Sequence, residues 1–266
     1  MALLAQYNTL GFYTAKTARQ WDKALAENAD TEIHRVFFQT NNIPAFELIV
    51  SVATSSTVQL MDSTDTLVGS AKTVTVEAST GYVKLIYLGE TLTGGNVLTD
   101  GDYSLKVTNG SEVYYSDVFG WTSDVDKLND LVKITAVSSD IRLGRNYLVN
   151  ISDFTFECYL NAIYLGINPE FEEEVSQRDG TNNVLYGNLV NQRQFDIDGC
   201  EYIFKFLLGL RVLESNGTVS ITWKGVTYTA NDIMAEKTED HATILMQIKL
   251  SFTDISEIVS VYNEIS

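Results

Sequence analysis

The stretch TGGNVLTDGDYSLKVTNGSEVYYSDVF, residues 93–119, decides how the chain is read. Apolar and polar residues alternate through its YSLKV and EVYYS runs, the pattern of half-buried strands. Asp100-Gly101 suits a tight turn, Tyr103 begins a strand, and Asn109-Gly110 closes the next turn, where a positive φ is needed. The stretch therefore predicts a paired hairpin that ends an Ig-like module.

Upstream, the same period of two runs through RVFFQT, FELIVSVA, VQLMDS, KTVTVEAS and YVKLIYLG. Turn-forming residues at 41–44, 79–81 and 94–96 separate these runs at spacings typical of a sandwich. Residues 35–121 are thus expected to form one small Ig-like β-sandwich. Before it, residues 1–34 read as an N-terminal arm. Ala18, Trp21, Ala24 and Leu25 fall at helical spacing within TAKTARQWDKALAENAD, which predicts a short amphipathic helix. That helix either packs on its own domain or docks on a neighbouring subunit, with Phe12, Tyr13 and Trp21, together with Tyr7, as anchors.

Downstream, residues 122–130, TSDVDKLND, are polar and acidic and read as a linker. Residues 131–266 begin with LVKITAVSSD and DFTFECYLNAIYLG and form a second β-rich domain. Within it CEYIFKFLLGLRVLES is dense enough in apolar residues, and long enough, to predict a helix near residues 202–210. The last elements are TVSITWKG, VTYTANDI and ATILMQIKLSFTD, with Lys224-Gly225 as a tight hairpin turn. The expected fold is mainly β, with an Ig-like sandwich, a second β-rich domain and a short N-terminal helical arm.

Composition bounds the function. A chain of 266 residues that is 45% hydrophobic and 11% aromatic is able to fill a sizeable core. Against 18 Lys and Arg it carries 35 Asp and Glu, for a formal charge of −17, and such a surface repels phosphates and anionic lipids. Specific nucleic-acid binding and membrane association are not expected. No window reaches the about 18 continuous apolar residues that a spanning helix needs, and the N-terminus has no signal-peptide pattern. The expected place of synthesis is a cytoplasm. Cys158 and Cys200 are too few for a disulfide framework or a zinc site and read as small buried hydrophobes.

The order FTFECYL, an acidic stretch ending in Arg178-Asp179-Gly180, an apolar segment, a hairpin carried by Val219, Ile221, Gly225 and Tyr228, and a terminal ATILMQIKLSF resembles virion structural proteins of tailed phages that infect gut Bacteroidetes, the crAss-like phages among them. The resemblance spans residues 43–252 and is a pattern of elements rather than a catalytic signature. CEYIFKFLLGL departs from it in lacking a proline-bearing segment. The resemblance implies a tail or neck component, synthesised in the cytoplasm of a host bacterium, located in the virion and assembled as a homo-oligomeric ring with other tail or neck proteins, with no enzymatic activity and no cofactor.

The stretch that most resembles an active site is EFEEEVSQRDG, residues 170–180. Glycoside hydrolysis needs two carboxylates about 5–9.5 Å apart, one of them buried enough to raise its pKa. Glu172, Glu173 and Glu174 are consecutive, and their surroundings are polar. A hydrated or interfacial loop is the better reading, with Glu172, Glu173, Arg178, Asp179 and Arg193 as candidate interface residues. Asp196-Ile-Asp198-Gly199 lacks the remaining ligands of a calcium loop and reads as a turn. His34 and His241 do not make a metal site, and nucleophile-elbow, Walker and dinucleotide motifs are missing. A ligand- or carbohydrate-binding module that stacks sugars on Trp121 and Trp223 is the alternative to a structural subunit.

Overall fold

The computed structural model describes residues 3–4, 8–26, 35–39, 46–50, 54–79, 82–87, 97–138, 154–178, 181–240, 246–254 and 259–262. The turns expected at 41–44, 80–81 and 94–96, and with them Tyr7, His34, His241 and Asp179, lie outside these residues. The fold is mainly β, as the alternation predicts.

The first part holds β1 (Leu3–Leu4), β2 (Phe12–Tyr13), α1 (Gln20–Ala26), β3 (Val36–Phe38), β4 (Phe46–Val50), β5 (Ser56–Asp62), β6 (Leu67–Ser79), β7 (Tyr82–Tyr87), β8 (Gly101–Asn109), β9 (Glu112–Ser116) and β10 (Phe119–Trp121). A 3-10 turn at Lys16–Ala18 precedes α1. β6 turns a corner: its first part pairs with β5, whereas Thr75 to Ser79 pair with β7. Two packed layers result, β1-β4-β7-β6 and β6-β5-β8-β9. Leu48 and Leu85 of one layer and Val58, Leu60, Leu105 and Val107 of the other are each fully buried in a shared core. β8 and β9 make the hairpin predicted at Asn109-Gly110: Asn109 pairs with Glu112, and Gly110 has φ +61°. Only a residue free of Cβ crowding takes that conformation without strain.

The second part holds α2 (Val125–Asn129), β11 (Val132–Ser138), β12 (Phe154–Leu160), β13 (Ala162–Arg178), β14 (Thr181–Gly199), α3 (Glu201–Asn216), β15 (Gly217–Trp223), β16 (Val226–Asp240), β17 (Met246–Asp254) and β18 (Val259–Tyr262). The ladder runs β12-β11-β15-β16-β17-β14-β13. Lys224 (φ 47°) and Gly225 (φ 79°) make the two-residue turn between Trp223 and Val226, with both central residues left-handed as such hairpins require. Helix α3 extends past the predicted 202–210 at both ends. Tyr202, Ile203, Phe206, Leu207, Leu210 and Leu213 bury one face of it against the sheet.

Two features depart from the sequence reading. The stretch 122–130, read only as a linker, holds a capped helical turn: the Asp124 carboxylate accepts the Asp126 and Lys127 N–H groups, and Leu128 is buried with Phe37, Leu131 and Tyr159. In addition, β3 runs parallel to β10 and antiparallel to β12, so one ladder passes from residues of the sandwich to those of the second region. At that seam Gly120 faces Phe37, and a Cβ there would overlap the ring. Arg35 and Lys127 both lie near that ring, at 5.2 and 4.9 Å from its centroid. Gly120→Ala is therefore expected to destabilise the protein by about 1–3 kcal/mol in urea unfolding. A midpoint unchanged from wild type would show that the seam gives way without loss.

Candidate functional site

Chemistry-bearing side chains gather in two places, the docked N-terminal segment and the long hairpin β13–β14. In the first, β2 pairs with β9, Phe12 opposite Ser116 and Tyr13 opposite Tyr115. Phe12 is buried against Phe46, with ring centroids 4.8 Å apart. The carboxylate of Asp117 is the centre of the arrangement. It accepts the N–H of Trp21 at 3.0 Å, the N–H of Val118 at 2.9 Å and the Tyr13 hydroxyl at 3.5 Å. The Arg35 guanidinium lies 5.1 Å from the Trp21 ring centroid and pairs with Asp102.

Phe12, Tyr13 and Trp21 thus anchor the segment to its own chain. Of the two readings of the arm, the structure shows the one in which it packs on its own domain. The physical reason is a set of unfilled hydrogen bonds: the β9 edge and the Asp117 carboxylate both need partners, and this segment supplies them. Nothing in the sequence around Asp117 distinguishes it from the other aspartates, so it was missed as a site residue. Its role depends on contacts about 100 residues away, with |i−j| of 104 to Tyr13 and 96 to Trp21. Asp117 also lies close enough to the start of α3 to act on Cys200 and Tyr202. Burial first, and this neighbouring charge second or third, push both groups well above their ordinary values. Cys158 is raised likewise by burial, and both cysteines are free and buried, as expected of structural thiols.

The second place corrects the reading of residues 170–180 as a loop. Glu172, Glu173 and Glu174 lie on β13 opposite Asn188, Gly187 and Tyr186 of β14, and Arg178 pairs with Thr181 at the end of the ladder. A ladder is made by backbone hydrogen bonds, which form between peptide groups whatever the side chains, so an acidic composition does not prevent it. Asp196 and Asp198, read as a turn, are likewise in strand, paired across to Lys249 and Gln247 of β17.

Arg193 is not a surface residue either. It is 7% exposed, its guanidinium stacks 4.0 Å from the Tyr228 ring centroid, and its Nη1 donates to the Tyr164 hydroxyl at 3.2 Å. It belongs to the foot of the hairpin, with Phe195, Tyr164 and Trp223. Trp121 is buried at 6% exposure, and Trp223 is half-buried and packs edge-on against Phe195 at 6.0 Å.

The ladder of β17 on β14 ends at Gln192, opposite Asn168 of β13. Residues 169–178 therefore run about 33 Å beyond it, at ~3.3 Å per residue. β18 covers β14 at residues 186–189. Among the described residues, β13 pairs only with β14. Its outer edge carries Ile163, Leu165 and Ile167, each about half exposed or more, at 63%, 53% and 47%. A bulge at Leu165, with Gly166 at φ +114°, interrupts this edge.

No family model, curated protein or solved structure matches this chain. The geometry therefore has to carry the functional reading, together with the pattern of elements in the sequence. Among the described residues, no group of His, Cys, Asp and Glu side chains is placed to hold a metal ion. No described helix is long and apolar enough to cross a membrane.

Proposed function

We propose that the chain is a structural subunit of a phage virion tail or neck, which assembles with copies of itself as a ring, contacts other tail proteins and carries no enzymatic activity. The observation that carries the assembly part is the hairpin β13–β14. Beyond β17 a third strand, β18, supports the ribbon only at residues 186–189, and two strands alone are marginal in water. The outer edge of β13, which no described strand pairs and which carries exposed Ile163, Leu165 and Ile167 nearer its foot, is an aggregation hazard unless something covers it. A ribbon of this length, rooted in a well-packed foot, makes physical sense as an arm whose edge is covered by a neighbouring subunit. The virion part rests on the resemblance in the order of sequence elements.

The acidic balance fits the same reading. A wall of net negative charge lets DNA pass without adhering to it. The test is the mass of the purified chain by light scattering at physiological salt, alone and with candidate tail proteins. A defined oligomer, or a monomer that assembles with those proteins, is expected. Arg178→Ala, at the end of the arm, is expected to impair that assembly while the monomer stays folded. A wild-type chain that remains monomeric under every one of these conditions overturns the reading and turns attention to glycan binding.

A further inference from the structure

The joint between the two β-rich regions is short. β3 pairs in parallel with β10, Phe37 opposite Gly120 and Phe38 opposite Trp121, and antiparallel with β12, Phe37 opposite Tyr159 and Val36 opposite Leu160. Parallel pairing is the less stable kind per residue, so two rungs of it hold little by themselves. One further bond closes the pair, the Thr122 N–H donating to the Phe38 carbonyl at 3.1 Å.

Trp21, at the start of α1, reaches the approach to both strands of that parallel pair. Its N–H donates at 3.0 Å to the carboxylate of Asp117, two residues before β10 begins at Phe119. Its ring centroid lies 5.1 Å from the guanidinium of Arg35, the residue before β3 begins at Val36. The same guanidinium is 5.2 Å from the Phe37 ring centroid and pairs with Asp102, which stands opposite Gly120 on β8. Arg35 is buried, and a cation withdrawn from water is attracted to aromatic faces more strongly than an exposed one.

We propose that the N-terminal segment is a clasp on this joint. With Trp21 docked, the starts of β3 and β10 are held side by side; with Trp21 released, the joint between the sandwich and the second region opens more readily. Docking of the segment and closure of the joint are then coupled, and linkage makes the effect reciprocal, so a disturbance of the joint also loosens the segment. A pull on the segment is thereby felt in the second region. The clasp needs no partner copy and works in the single chain.

Native-state hydrogen exchange on the full chain tests it, because exchange reads local opening amide by amide. Trp21→Ala is expected to speed exchange at residues 120–122 by about fivefold or more, and to leave residues 219–221 of β15, away from the joint, unchanged. Trp21→Phe keeps an aromatic face for Arg35 and is expected to recover most of that loss. Arg35→Lys keeps a charge for Asp102 but lacks the planar group that stacks on rings, so it should speed exchange at the same residues. Combined with Trp21→Ala it should add little, because both changes remove one contact. In the reverse direction, Gly120→Ala should hasten tryptic cleavage after Lys16 and Lys23 by about fivefold or more. Wild-type exchange at residues 120–122 in folded Trp21→Ala overturns the clasp. Equal acceleration at residues 219–221 means a general loss of stability and overturns it too, as does full additivity of Trp21→Ala and Arg35→Lys. Should Trp21→Ala fail to fold, Arg35→Lys decides by the same comparison of the two sets of amides.

Discussion

Asp117→Ala is expected to destabilise the protein by about 3 kcal/mol and to release its N-terminal segment. The carboxylate is 2% exposed and accepts the Trp21 and Val118 N–H groups and the Tyr13 hydroxyl. Alanine leaves the two N–H donors without this acceptor in a water-poor setting, and each buried donor so orphaned costs about 1–3 kcal/mol. The backbone of residue 117 keeps its own bond, its N–H donating to the Gly11 carbonyl at 2.7 Å, so β2 is weakened rather than erased.

The segment that depends on the carboxylate contains Lys16, Arg19 and Lys23, which makes trypsin a sensitive reporter. Faster cleavage there, with a lowered urea midpoint, is the expected pair of results. Asn at the same position keeps one acceptor oxygen and should lose less than alanine. A variant that unfolds at the wild-type midpoint and resists trypsin equally would mean that β2 and the Phe12–Phe46 contact dock the segment by themselves.

Phe195→Ala is expected to cost about 3–5 kcal/mol, the usual range for deleting a fully buried aromatic ring. Phe195 is 0% exposed and touches three other rings: Tyr164 at 5.1 Å, Trp223 edge-on at 6.0 Å and Phe252 in parallel at 6.1 Å. The cavity so made lies at the foot of the hairpin, because residue 195 is opposite Tyr164 on β13 and Leu250 on β17. Loss there should loosen the arm as well as the core. Trp223 reports it directly, so its near-ultraviolet circular dichroism should weaken along with the urea midpoint. Phe195→Leu keeps most of the volume and should cost distinctly less. Equal losses for Ala and Leu would show that ring geometry, rather than filled space, sets the stability of the foot.

These two residues differ in how much of their role the sequence displays. Phe195 stands in an alternating run, QFDI, so its burial is predictable from period two even though its ring partners are not. Asp117 is a polar residue in a turn region, with nothing nearby to mark it as the anchor for a segment some hundred positions earlier. The same contrast runs through the candidate site. Arg193 looked like a surface charge because its neighbours are amides, and only the fold reveals that Tyr228 and Tyr164 enclose it. The acidic run 170–174 looked like a loop because its composition is that of loops, yet pairing with residues 186–190 makes it strand.

What the sequence by itself determined was local. The period-two runs, the tight turns at Asn109-Gly110 and Lys224-Gly225, and the apolar density of α3 each depend on residues within one element, where backbone conformation and one-sided burial leave a direct imprint. The tertiary structure decided which strand pairs with which: the parallel seam of β3 on β10, the corner in β6, the docking of β2 on β9 and the ribbon β13–β14. Ladder hydrogen bonds join peptide groups, which are the same in every residue, so a strand carries little local record of its partner. The choice is made by the packing of the whole core.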